Sequence, residues 1–161
     1  MCDTVRSLTL YRSPGCTQED NNIMTQICDC IKSCCGNNLI TVVNGDLNCS
    51  DIDWLNYNAS VDVNQILFFN TVSDLGFYQF VDSPTRGDNI LDIVLCNDPL
   101  LISDVSVCQP FSTSDHASIK FVINASECIS VCSEISPNSF TIPGGKSDPV
   151  QSKLSVNSKT N

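Results

Sequence analysis

Three short polar clusters hold the groups in this chain best suited to chemistry: Gly45-Asp46-Leu47-Asn48, Thr85-Arg86-Gly87-Asp88-Asn89-Ile90-Leu91-Asp92 and Ser114-Asp115-His116. The last contains the only histidine, directly after an aspartate. Between Asn44 and His116 stand eleven aspartates and one base, Arg86, so that this stretch carries the whole formal net charge of −10. Such a field repels a polyanion at long range and attracts a divalent cation. Each cluster alone has an ordinary explanation. Gly, Asp and Asn favour turns, Thr-Arg-Gly-Asp-Asn suits a loop tip, Ser-Asp-His suits the start of a strand, and an acidic stretch suits a solvated surface. What sets the three apart is their shared placement at the ends of predicted strands, where the sites of α/β proteins gather.

The elements that must hold these clusters follow from hydrophobic pattern and punctuation. Val5–Tyr11 reads as a strand ended by Ser13-Pro14-Gly15. Residues 17–35 read as a helix capped by Thr17, with Glu19 and Asp20 in its first turn, Gly36 after its end, and Ile23, Ile27, Ile31 and Cys34 on one face. Leu39–Asn44 is a continuous apolar run, the pattern of a strand buried on both sides. Asp51–Asn58 reads as a loop or a single helical turn. A second helix is expected over Val61–Leu75, with Ile66, Phe69, Val72 and Leu75 inward. Strands are expected at Phe77–Val81, Asn89–Cys96, Asp104–Gln109 and Ala117–Asn124. Helices between strands early and strands late predict an α/β (α+β) fold with a mixed sheet. Residues 133–161, rich in Ser with three Pro and few apolar side chains, read as a flexible tail or linker after a domain over 1–132.

At 161 residues, 42% of them hydrophobic, the chain is long enough for one cored domain and hardly for two. The mean hydropathy of +0.03, seven Gly and seven Pro exclude a wholly disordered or collagen-like chain. No apolar run reaches membrane-spanning length, so no membrane partner is expected. The start shows no basic stretch leading into an apolar one, and no signal peptide is expected. Eleven cysteines approach the density of a disulfide scaffold, but the number is odd and Cys28, Cys30, Cys34 and Cys35 crowd one segment. With one distant histidine, a zinc site is disfavoured. Free thiols acting as small buried hydrophobes in a reducing compartment are the expectation, which puts the protein inside a cell, in nucleus or cytoplasm. A secreted, disulfide-rich protein glycosylated at Asn48, Asn58 or Asn124 is the contrasting reading, and few free thiols would mark it.

Taken together, the motifs resemble the endonuclease/exonuclease/phosphatase superfamily, and within it the endonuclease domain of non-LTR retrotransposons, relatives of the abasic-site repair nucleases. The resemblance covers roughly residues 5–124. It is carried by Leu10-Tyr11-Arg12-Ser13-Pro14, Val43-Asn44-Gly45-Asp46-Leu47-Asn48, Asp53-Trp54 and Leu75-Gly76-Phe77, and then by Pro84-Thr85-Arg86, Leu91-Asp92-Ile93-Val94-Leu95 and Ser114-Asp115-His116. The resemblance implies a four-layer α/β/β/α sandwich, here partial. It also implies phosphodiester hydrolysis assisted by Mg²⁺ or Mn²⁺, with DNA as substrate, nicked for retrotransposition, and a reverse transcriptase domain downstream.

Matching residues take matching roles. Asp46 would orient or deprotonate the attacking water. Asn48 would hold a phosphate oxygen, and His116 would stabilise charge developing on the phosphate. Asp92 would orient His116, and Asp115 would approach the metal or its waters. Tyr11 corresponds to the tyrosine beside the scissile phosphate; Thr85 and Ser114 would hydrogen-bond phosphate or its neighbours, and Arg86 would touch the DNA backbone. The family's first third, which supplies a strand Asn and the principal metal-binding Glu, has no counterpart before Tyr11, so impaired hydrolysis is expected of this chain. Two other readings keep the same fold: a non-catalytic remnant or binding module, and a phosphatase acting on a small molecule or lipid.

Overall fold

The computed structural model describes residues 5–14, 18–35 and 39–124. Ten elements follow one another: β1 (Val5–Tyr11), α1 (Gln18–Cys34), β2 (Ile40–Asp46), β3 (Ile52–Asp53), β4 (Asn58–Ala59), α2 (Val63–Asp74), β5 (Tyr78–Gln79), β6 (Asp92–Cys96), β7 (Ile102–Cys108) and β8 (Ser118–Ile123). The expected tail at 133–161, the Thr17 cap and Gly36 lie outside the described residues.

The first sheet has the order β1-β2-β6-β5. β1 and β2 run parallel, as a strand–helix–strand crossover requires, whereas β6 is antiparallel to both β2 and β5. The sheet is therefore mixed, and the class is α+β as expected. β2 is buried from Thr41 to Val43, and β6 from Ile93 to Cys96, which is why both read as unbroken apolar runs. β2 extends two residues past the expected end and takes in Gly45 and Asp46, because both neighbouring strands pair with those residues. β7 and β8 form a separate antiparallel pair, with Val105, Val107, Ile119 and Phe121 packed on the core.

The helices bury part of the expected face, including Ile27, Ile31 and Val72, and turn the rest. α1 turns Met24, Ile27, Cys28 and Ile31 inward, while Ile23 is exposed. α2 starts at an Asp62 cap whose carboxylate accepts from the N–H groups of Asn64 and Gln65 at 2.8 and 2.9 Å, an arrangement worth about 1 kcal/mol. Of the expected Ile66, Phe69, Val72 and Leu75 it buries Val72 and packs Phe69 and Leu75 partly against the core, while Gln65, Phe68 and Thr71, one residue round, are buried beside them. The shift has a cause in the 51–59 segment. That segment is a short β3–β4 hairpin rather than a loop or helical turn. The Gln65 side-chain oxygen Oε1 accepts from Asp51 N–H at 2.8 Å. Trp54 lies edge-on to Phe68 at 6.4 Å and tilted against Phe69 at 6.0 Å. A glutamine whose amide is satisfied can be buried where periodicity would place an isoleucine. Seven described cysteines are unpaired thiols; Cys28, Cys49 and Cys96 are buried, and the other four are half-buried. Among the described residues no helix is long and apolar enough to cross a membrane.

Candidate active site

Strand register brings the first three site residues into line. Tyr11 pairs with Asp46, and Asp46 pairs with Asp92. Paired residues in a sheet share a face, with strands about 4.8 Å apart, so these three stand abreast at one end of β1, β2 and β6. Asp46 can sit there only because Gly45 precedes it. Gly45 has φ +132°, and a Cβ at that position would lie 1.9 Å from the Leu10 carbonyl oxygen. The turn after Asp46 is closed by Asn48, which has φ +50° and whose N–H donates to Asp46 Oδ1 at 3.0 Å. This is the Asx geometry for which Asn and Asp are favoured. Leu47 between them is fully buried and donates to the Leu91 carbonyl at 3.0 Å, tying the turn to the start of β6.

Thr85 does the corresponding work for the second cluster. Its Oγ1 accepts from the N–H groups of Leu91 and Asp92 at 3.0 and 3.1 Å. Its carbonyl accepts from Ala117 N–H at 2.7 Å. One buried threonine thus sets the height of Asp92 and docks the residue following His116. At 2% exposure Thr85 has no surface for a phosphate, which corrects the substrate contact expected of it. Ser114 is turned toward its own loop: its hydroxyl accepts from His116 N–H at 3.1 Å and lies 3.3 Å from the His116 carbonyl oxygen.

His116 then falls between the two aspartates. Its Nδ1 is 2.8 Å from Asp92 Oδ2 and 3.9 Å from Asp46 Oδ2. An ionised carboxylate only accepts, so Nδ1 carries the proton and donates it to Asp92. Nε2 is left as the working nitrogen, an acceptor when the ring is neutral and a donor when it is charged. Burial raises the Asp46 carboxyl above the usual carboxylate range. The Asn48 N–H bond pulls it down, the Asp92 charge pushes it up and His116 pulls it down again. A carboxyl so perturbed beside an oriented imidazole marks a functional-site candidate.

Asp46, Asp92 and His116 form the one group of three among the described residues whose ligand atoms lie within 4.8 Å of one another. Because Nδ1 is engaged by Asp92, the hard donors here are the two carboxylates. A small divalent cation held by one or two carboxylates, with water and substrate oxygens completing its shell, fits this set. Asp115 is not in the group. Its Oδ2 pairs with Arg86 Nη2 at 2.7 Å on the exposed rim, joining the second and third clusters. Tyr11 is in line with Asp46 but its side chain is 70% exposed. The structure thus gathers Asp46, Asn48, Asp92 and His116, leaves Tyr11 on the open side, and ties Asp115 and Arg86 to each other. It also reveals a residue that spacing alone did not single out: Arg12, buried beneath the Asp46–Asn48 turn.

Comparison with known proteins gives the family and the fold. The family described as Endonuclease-reverse transcriptase matches residues 5–120. Among solved structures, the endonuclease domain of TRAS1, a telomere-specific non-LTR retrotransposon, is similar with a TM-score of 0.54 at 20% identity, over 73% of this chain. The alignment covers 56% of that chain, so the present chain spans little more than half of it. At that identity the likeness speaks for the fold. No curated protein matches.

Proposed function

Because the chain belongs to the endonuclease–reverse transcriptase family, we propose that it carries the phosphodiester-hydrolysing face of a DNA endonuclease that nicks target DNA for retrotransposition. The observation that carries the proposal is the contact of His116 with both Asp92 and Asp46. Phosphodiester hydrolysis needs a group to direct the attacking water, a group to meet charge growing on the phosphate, and a means of fixing both before reaction. Asp46 is the carboxylate available to orient or deprotonate the water.

His116 presents Nε2 to the phosphate and, when charged, donates to a non-bridging oxygen. Asp92 holds the ring in that orientation through Nδ1. Asn48 offers its side-chain amide to the same oxygens, and Tyr11 lines the open side. Mg²⁺ or Mn²⁺, when bound, would neutralise phosphate charge; Asp46 and Asp92 are the residues that would hold it, with Asp115 a further candidate once released from Arg86. The substrate is DNA, the expected partner a downstream reverse transcriptase domain, and the expected location intracellular, in nucleus or cytoplasm.

The test is nicking of supercoiled plasmid with Mg²⁺ or Mn²⁺ by the parent chain and by His116→Ala and Asp46→Ala. Removing a proton-transfer or charge-stabilising group should slow nicking by about 10²–10⁴-fold. Equal nicking by parent and both variants would overturn the assignment. A parent with no nicking even when a front half carrying the family's metal-binding Glu is supplied would favour the non-catalytic binding module.

A further inference from the structure

We infer that Arg12 is a positioning residue for the site, setting the orientation of Asn48 and, through the turn, of Asp46. The inference rests on the nuclease reading for its catalytic consequence but not for its geometry. An arginine just after Tyr11, in a stretch facing DNA, would ordinarily be taken for a backbone contact. Its burial argues otherwise: only 4% of Arg12 is exposed, so its guanidinium does not face a solvent-borne phosphate.

Its hydrogen bonds show where it acts. Arg12 Nη1 donates to the Leu47 carbonyl at 3.1 Å and to the Asn48 carbonyl at 3.3 Å. Arg12 N–H donates to the Asp46 carbonyl at 2.9 Å, and the Arg12 carbonyl accepts from Asn48 Nδ2 at 2.8 Å. One residue therefore makes four hydrogen bonds that frame the three residues of the turn.

The chemistry explains why an arginine is needed. Two carbonyl dipoles converge on a single nitrogen, and a positively charged donor holds both more strongly than a neutral one. Asn48 holds φ +50°, and in that conformation its own carbonyl joins that of Leu47. The two N–H groups of Nη1 are held at fixed directions in the guanidinium plane, one for each oxygen, whereas a lysine ammonium rotates on a flexible stem.

The consequence passes outward in two steps. The Asn48 amide has one donor fixed on Arg12, so the direction of its remaining donor and its oxygen is set. The Asn48 N–H in turn occupies Asp46 Oδ1, leaving Oδ2 as the oxygen on the His116 side.

The test compares parent and Arg12→Lys by ¹H–¹⁵N NMR and by plasmid nicking. With Tm and the Trp54 indole signal unchanged, Arg12→Lys should move the Asn48 side-chain amide and His116 ring resonances. It should lower kcat about 10–100-fold, the scale of a roughly 1 Å misplacement, with KM within twofold. In an Asn48→Ala background the same change should add less than threefold, because both act through one amide. Unmoved Asn48 and His116 signals, a rise in KM alone, or full additivity would each overturn the inference. If Arg12→Lys does not fold, Asn48→Ala decides: folded with shifted His116 signals supports the linkage, and unshifted signals overturn it. A parent that does not nick but shows the NMR response leaves the assignment of Arg12 standing without its catalytic consequence.

Discussion

Gly45→Ala is the substitution for which the fold makes the sharpest demand. The added Cβ would sit 1.9 Å from the Leu10 carbonyl oxygen, where a carbon–oxygen contact needs about 3.3 Å. Leu10 and Gly45 are register partners in the parallel pair, so β1 must retreat from β2 by roughly 1.4 Å, far beyond what an N–H···O bond tolerates. Losing one or two ladder bonds costs about 1 kcal/mol each, and alanine at φ +132° adds about 1–2 kcal/mol of backbone strain. The sum is about 3 kcal/mol, or a Tm lower by about 12 °C for a domain of this size. Gly76→Ala supplies the control. Gly76 also has positive φ, +73°, but nothing lies within 4 Å of its would-be Cβ, so strain alone, about 1 kcal/mol and 4 °C, is expected. Circular dichroism melts of the two variants separate the terms. A Gly45→Ala protein that melts no lower than Gly76→Ala refutes the close-approach argument and with it the stated reason for glycine beside Asp46.

Other consequences are as direct. Asp92→Asn can donate to Nδ1 and so favours the wrong tautomer of His116; nicking should fall at least about 100-fold with the fold intact, and a rate within threefold of the parent would contradict the proposed tautomer. Thr85→Val removes the acceptor shared by the Leu91 and Asp92 N–H groups, so urea unfolding should show a loss of about 2 kcal/mol; an unchanged midpoint would mean these amides find other partners. Burial pushes the Cys49 thiol up to about 12, against a pull from Arg12. The folded chain then keeps a proton that the unfolded chain loses above about pH 9, so stability should fall as pH rises from 9 toward 12, by about 1.4 kcal/mol per pH unit. Between pH 8 and 10 the parent should lose about 1 kcal/mol more than Cys49→Ala, and parallel curves for the two would refute the assignment.

Much of this was legible because it is local. The strand at Val5–Tyr11 and the apolar run before Gly45 carry their own pattern, and the order of the three clusters carried the family resemblance that the residue 5–120 match bears out. What was not legible depends on partners far along the chain. Gln65 is buried because Asp51 satisfies its amide. Asp46 belongs to β2 because Tyr11 and Asp92 flank it. Thr85 is enclosed because β6 and the residue after His116 close over it. Arg12 meets carbonyls about 35 residues away, and no periodicity distinguishes it from a surface arginine. Arg86 and Asp115 show the same limit in reverse: two residues expected to face DNA and metal hold one another.

The three residues of the central cluster come from β2, β6 and the turn before β8, and this bears on how the molecule acquires function in time. Each contact requires a long loop to close first, and the parallel β1–β2 pair requires a whole crossover, so the contact order of the site is high and its formation slow. None of the cluster exists in a collapsed or partly zipped chain. On the nuclease reading proposed above, a nascent polypeptide would gain its site only once β2, β6 and the turn before β8 have met, and a bound cation would stabilise that finished state. On that reading, competence to cut would arrive only with the complete topology.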